Sequence, residues 1–341
     1  MYTQGTMPSS SSLPVAIASI GQNLPPRVVT NAELEPMLGV REGWIFERTG
    51  IESRRWSDPA IGTVAQAVPA AQRALDAAGI KGNDLDLIIG ACSVPGQALP
   101  VASCFLAHEL GIDGVGCFDV NASCFSFPVA LWQAAHAVAR GEAERVLVWT
   151  SEVASRGINL KEPASACLFG DGAAAVVVVA ARGPLERSAM HALHLRTYPE
   201  GRHSAQIRGG GTDLLPNRAD FDPSGFMFQM SGKAIFRLAL RHSPGFLLEF
   251  FEKKSPFSQP EYKLVIPHQT NKHGIDAFTK HLGFTEEQVF SNLKDHGNCV
   301  AAGLPMALAD AVEGGRVKRG DPILLCGTAA GLTLGALALT W

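Results

Sequence analysis

The feature that most constrains this chain is an internal echo: the order of elements in its first half recurs in its second. In the first half an amphipathic helix over 62–82 leads to an apolar strand over 85–91. A second helix, a strand over 116–120 and a helix over about 124–140 follow, then strands over 145–149 and 173–180. In the second half a helix over 231–253 leads to a strand over 262–266, a helix over 271–282, a short strand holding Val289 and Phe290, and a helix over 300–314. Strands over 323–326 and 334–339 close it. Helices alternating with short apolar strands imply sheets covered on both faces, and a repeat this long implies duplication. The expected architecture is two similar α/β halves packed together. A loose tail covers 1–12, the first half 13–183 and the second 184–341, with the junction near 181–186. The stretch 196–226, rich in Gly, Pro, Asp and Arg, reads as a long loop or small insertion suited to substrate contacts.

Composition narrows the function classes. A hydrophobic share of 46% over 341 residues supplies a large core. The charged share of 18% is below the usual quarter, so much surface is covered by the fold or by a partner subunit. A net charge of −3 with no basic block argues against nucleic acid. The seven cysteines show no C-x-x-C pair or Cys/His cluster, so no metal site is expected, and they read as reduced thiols of a cytoplasmic protein. No apolar run reaches the roughly 18 residues of a bilayer span, and the polar N-terminus lacks the basic region of a signal peptide, so no membrane partner is expected.

Four segments carry chemistry. In 119–127 (DVNASCFSF) a strand ends, small residues turn, and a helix starts at or just after Cys124. Unpaired N–H groups and the helix dipole at such a position favour thiolate over thiol, which makes a nucleophile; a plain core cysteine is the alternative. In 265–271 (VIPHQTN) another strand gives way to a helix in the equivalent place, and Pro267 stiffens the exit that aims His268. A satisfied core histidine is the alternative there, and Asn271 also suits an N-cap. In 295–305 (DHGNCVAAGLP) Asn298 stands in the place that Cys124 has in the first half, or is a plain N-cap. In 326–335 (CGTAAGLTLG) a small-residue turn lets backbone N–H groups reach an oxyanion, or is an ordinary hairpin.

Together these segments resemble the β-ketoacyl-acyl-carrier-protein synthase III group, condensing enzymes of the thiolase fold. The resemblance runs from about Pro14 to Trp341. It also includes 44–51 (WIFERTGI), close to the group's W-I-x-x-R-T-G-I, and 169–173 (FGDGA). It implies a five-layered α-β-α-β-α fold, a homodimer, and a decarboxylating Claisen condensation. Cys124 takes an acyl group from acyl-CoA; His268 Nε2 and the Asn298 amide hold the thioester oxygen of malonyl-CoA or malonyl carrier protein as CO₂ leaves. The backbone N–H groups of Cys124 and Ala330 serve the acyl-transfer oxyanion. Trp44 stacks on adenine and Arg48 contacts phosphate or the carrier protein. Asn271 lines the pantetheine tunnel, and Leu99 caps the partner's acyl pocket. The CoA thioesters are substrates, and no cofactor is implied.

Three departures stand out. The group's Gly-Gly-Gly run is Ala329-Ala330-Gly331, its arginine before F-G-D-G is Pro163, and its Asn-Leu-Arg is Asn271-Lys272-His273. His273 thus stands where the docking arginine would, and Lys272 compensates as a point charge without a bidentate fork. They keep open a relative of specialised metabolism that joins or transfers acyl groups. A non-catalytic partner subunit would ordinarily lack the nucleophile.

Overall fold

The computed structural model describes residues 12–217 and 221–341. The tail expected over 1–12 lies outside these residues except for Ser12, whose hydroxyl meets His191 Nδ1 at 2.7 Å. The chain opens with β1 (Val15–Asn23), β2 (Arg27–Thr30), α1 (Asn31–Met37), α2 (Trp44–Thr49) and β3 (Ser53–Trp56). Next come α3 (Thr63–Ala78), β4 (Leu87–Gly90), α4 (Ala102–Glu109), β5 (Gly116–Asp119) and α5 (Ser126–Ala139). Then follow β6 (Arg145–Glu152), α6 (Pro163–Ala166), β7 (Gly172–Ala180), β8 (Ala189–Thr197), β9 (Ala205–Gln206) and β10 (Gln229–Met230). The chain ends with α7 (Gly232–Lys253), β11 (Leu264–Pro267), α8 (Lys272–His281), α9 (Leu293–His296), α10 (Gly303–Glu313), β12 (Pro322–Ala329) and β13 (Thr333–Thr340).

Two sheets carry the fold. One runs β1-β7-β6-β4-β5, the other β8-β13-β12-β11. The second has a fifth position, a single parallel bridge between Val265 and Val289, which is all that forms of the short strand expected there. Side chains alternate across each strand. On β7, Ala173, Ala175 and Val177 face α3 and α4, while Val176 and Val178 face the centre. The central layer is α5 and α10, apolar over most of their surface and therefore largely buried between the sheets. On the far side Phe246, Leu247 and Phe250 of α7, with Phe278 of α8, cover the second sheet. The result is the five-layered α-β-α-β-α order. Each of Leu131, Leu304 and Leu308 is fully buried in the centre, at roughly 1.5–3 kcal/mol apiece.

Three differences from the sequence reading affect the site. The helix expected from 124 starts at Ser126, leaving Cys124 in the turn. The helix expected over 300–314 opens as a 3₁₀ turn, Val300–Ala302, before α10. Strand β8 arises where no strand was foreseen and supplies the edge of the second sheet.

Candidate active site

Cys124 sits in a turn held from three directions. Asn121 Nδ2 donates to Ser93 O at 3.0 Å, and Asn121 Oδ1 accepts from Ser123 N–H at 2.9 Å. The Ser126 hydroxyl donates to Ser123 O at 2.6 Å and accepts from Ala122 N–H at 2.9 Å. These bonds hold Ser123 at φ 52°, a left-handed conformation that costs a non-glycine residue about 1–3 kcal/mol. Cys124 follows, half-buried, with its sulfur accepting from its own N–H and from Ala330 N–H.

The thiolate expected at this helix end is not the resting form. Burial, aided by the charge of Glu152, pushes the Cys124 thiol up to about 12, against the pull of the two N–H groups. The helix starts two residues later, so its dipole reaches the sulfur less directly than a cysteine at N1 would feel it.

Asn298 is built by the same device. Its Oδ1 accepts from Val300 N–H at 2.9 Å, and Val300 sits at φ 51°. Ser123 precedes Ser126, the first residue of α5, by three positions, as Val300 precedes Gly303, the first of α10. The structural counterpart of Asn298 is therefore Asn121, and that of Cys124 is Ala301. The direct Cys124–Asn298 equivalence expected from sequence is off by three residues. Because Oδ1 is committed to Val300, the amide Nδ2 is left as a donor.

The F-G-D-G turn holds Asn298 by its backbone. Asn298 N–H donates to Leu168 O at 2.8 Å and Gly170 N–H to Asn298 O at 3.2 Å. Gly170 is required by close approach, since a Cβ there would lie 2.1 Å from His296 O. Asp171 anchors this turn from beneath, accepting from Ser57 N–H, Ser155 N–H and the Ser155 hydroxyl at 2.8, 2.8 and 2.6 Å.

His268 leaves the end of β11, and its N–H donates to Cys326 O of the parallel β12 at 2.7 Å. Gly327 lies under it; a Cβ there would stand 2.4 Å from His268 Cβ. The ring is 5% exposed, and burial lowers its pKa to about 4, so it is neutral at neutral pH. Ala330, next beyond β12, sends its N–H to Cys124. The end of β12 thus carries both the backbone support of His268 and the donor to the nucleophile.

Four of the remaining expected residues lie on α2 and at the start of α8, which pack together, and Leu99 lies in the loop before α4. Trp44 and Arg48 share one face of α2, with the guanidinium 4.7 Å from the ring centroid. Asn271 is the N-cap of α8, its Oδ1 accepting from Gly274 N–H at 2.8 Å. Lys272 pairs with Asp276 and packs on Gly50, so its charge is already engaged. Leu99 is 81% exposed.

Three residues at the site escaped the sequence reading. Phe228 and Met230 pack in the cluster that includes Trp44, and Phe228 meets Phe169 edge-on at 4.9 Å. They come from the far end of a long loop, and nothing local marks them. The third is Glu152, 2% exposed; its only sequence signal is an acidic residue closing an apolar run.

Two duplicated α/β halves that present Cys, His and Asn at strand-to-helix turns define an acyl-transferring condensing enzyme of the thiolase fold. Residues 118–199 match the family described as 3-Oxoacyl-[acyl-carrier-protein (ACP)] synthase III, and residues 253–341 match its C-terminal part. The chain belongs to the 3-oxoacyl-acyl-carrier-protein synthase III family. It is 33% identical over 332 residues to the β-ketoacyl-acyl-carrier-protein synthase III of Brucella melitensis, covering 95% of this chain and 98% of that one. Among solved structures, the synthase III of Aquifex aeolicus superposes with a TM-score of 0.85 at 33% identity, over 96% of this chain and 100% of that one. The priming β-ketosynthase of the R1128 polyketide pathway superposes with a TM-score of 0.87 at 31% identity, over 99% and 98%.

Proposed function

We propose that the chain primes chain elongation by condensing an acyl-CoA with a malonyl thioester through an acyl-Cys124 intermediate. The observation that carries this is the Cys124 sulfur resting on the N–H groups of Cys124 and Ala330. An acyl oxyanion formed at that sulfur takes the same two donors. The sulfur attacks the thioester carbonyl, and its proton departs in the same step to the CoA sulfur, because a thiol held at about 12 has little free thiolate. The C–S bond to CoA breaks and Cys124 is acylated.

The malonyl thioester then enters. His268, neutral and so able to donate from Nε2, and Asn298 Nδ2 bind its carbonyl oxygen as the C–CO₂ bond breaks. The resulting carbanion attacks the acyl carbonyl, and the Cys124 sulfur leaves as thiolate and regains a proton from water. No protein base is needed. Trp44 and Arg48 receive the CoA end, and Asn271 and Lys272 flank the path. No cofactor is invoked.

The reading includes a homodimer in the cytoplasm. β5 is the open edge of its sheet, with Phe118 39% exposed on it, and Leu99 projects at 81% exposure; both suit a second copy. All seven cysteines are free. Among the described residues no helix is long and apolar enough to cross a membrane.

Intact-protein mass after incubation with a panel of acyl-CoAs tests the proposal. A single acyl adduct is expected on the wild type and none on Cys124→Ala. An adduct persisting in Cys124→Ala refutes the assignment. Adding malonyl-CoA or malonyl carrier protein should then release CO₂ in step with product; acyl loss without CO₂ marks a simple acyl transferase.

A further inference from the structure

Among the buried acids that the mechanism above leaves unused is Glu152, 2% exposed. Glu152 closes β6, and its carboxyl group accepts from Ser93 N–H at 2.5 Å and also from the N–H groups of Val94 and Ala301. These donors belong to different halves of the molecule. Ser93 O in turn holds Asn121, and Asn121 holds Ser123 in the left-handed conformation one residue before Cys124. Ala301 follows Val300, the left-handed residue held by Asn298.

We propose that Glu152 is a positioning residue for both stages of the reaction, one carboxyl group tying the turn that presents Cys124 to the turn that presents Asn298. This rests on the function proposed above. A carboxyl group suits three converging N–H donors, because both of its oxygens can accept even with the proton that burial keeps on it up to about 8. Glutamine keeps one acceptor and turns an NH₂ towards the rest, so at least one turn is released. Aspartate keeps the charge but is one methylene too short to reach both.

The same group governs charge at the nucleophile. Burial holds Glu152 protonated up to about 8, and above that its anion opposes ionisation of the thiols around it. Those thiols are Cys92 beyond β4, Cys124, and Cys299 at the 3₁₀ turn; Asp119 acts on Cys92, and Asp171 and Asp310 act on Cys299.

The test uses the full chain with Glu152→Gln and Glu152→Asp, each alone and combined with Cys124→Ala. Iodoacetamide alkylation of the Cys124 peptide is followed against pH. CO₂ release from malonyl-CoA is measured in the Cys124→Ala background, where only His268 and Asn298 act. Glu152→Gln is expected to move the alkylation midpoint down by roughly one pH unit or more, since a like charge is gone. It is also expected to slow CO₂ release about tenfold or more, part of the ~10²–10³ that loss of an oxyanion donor costs. Glu152→Asp should slow CO₂ release and leave the midpoint in place. A purely structural role would lower rates without moving the midpoint. CO₂ release within twofold of the parent in a folded Glu152 variant overturns the proposal, as does an unmoved midpoint in Glu152→Gln. If Glu152→Gln does not fold, Glu152→Asp decides by the CO₂ assay. If Cys124→Ala itself releases no CO₂ while folded, the proposed function has failed, and the alkylation profile still decides the Cys124 arm.

Discussion

Gly170→Ala separates the two stages of the reaction without touching a catalytic side chain. The new Cβ would stand 2.1 Å from His296 O, whereas an ordinary C···O contact is about 3.3 Å or longer. Both groups are backbone, so the two strands of chain must part by about 1 Å. Gly170 N–H bonds Asn298 O at 3.2 Å, and His296 lies two residues before Asn298, so the displacement falls on Asn298. A shift of that size costs about 10²-fold in a reaction that depends on placement. The overpacking itself costs about 1–3 kcal/mol, within the 5–15 kcal/mol of a typical domain, so the variant should fold. The turn that precedes Cys124 is held by separate bonds, Asn121 to Ser93 O, Ser123 N–H to Asn121, and the Ser126 hydroxyl to Ser123 O. The expected result is acyl-Cys124 formation near the wild-type rate, read by intact mass, with CO₂ release from malonyl-CoA down about a hundredfold. A folded variant in which both rates fall alike, or neither falls, would refute the reasoning.

Other outcomes can be checked in the same preparations. Because His268 is buried with its pKa lowered to about 4, the folded state binds fewer protons than the unfolded one between pH 4 and 6.5. Stability from this residue is therefore complete above about 6.5 and lost as pH falls to 4, by roughly 3 kcal/mol at 1.36 kcal/mol per unit. Denaturant melts of wild type against His268→Gln should show that slope, and parallel pH curves would contradict it. Asn121→Ala removes two of the four bonds that hold the turn with Ser123 at φ 52° and should slow acylation at least tenfold; Ser123→Gly in the same chain should recover part of the loss, because glycine takes that φ freely. Phe118→Lys on the open edge of β5 should give monomers in sedimentation, while an unchanged dimer would place the subunit contact elsewhere.

The long, strongly patterned elements were legible in the sequence. α10 was readable because Asp310 and Glu313 are its only charges, and β7 because Ala and Val fill it from Ala173 onward. β8 was not, because His191 and His194 interrupt an otherwise apolar run; in the fold both rings are buried against Phe257 and Phe246. The strand around Val289 reduces to one bridge, since the chain leaves the sheet at once into Ser291 and α9. For the site, Cys124, His268 and Asn298 stood out through resemblance and through their places at strand ends. Their register did not, because a left-handed residue such as Ser123 or Val300 has no sequence signature. The role given to Lys272 as a docking point charge did not weigh its pairing with Asp276 one helical turn on. Glu152 was hidden by its context: an acid in an apolar run reads as the end of a strand, and only the three-dimensional meeting of Ser93, Val94 and Ala301 makes it a centre.

The paired left-handed turns have a consequence for how the molecule divides labour. Both halves keep an asparagine that closes an identical loop two residues on, yet only one of the two faces the chemistry as an amide donor. Asn121 is the scaffold copy and Asn298 the recruited one, while at the next register the roles reverse, with Cys124 recruited and Ala301 left as scaffold. Each half thus specialised at a different position of one ancestral loop. A catalytic centre that needs two unlike groups side by side is what a symmetric duplication yields when its copies stay in register and recruit positions three residues apart.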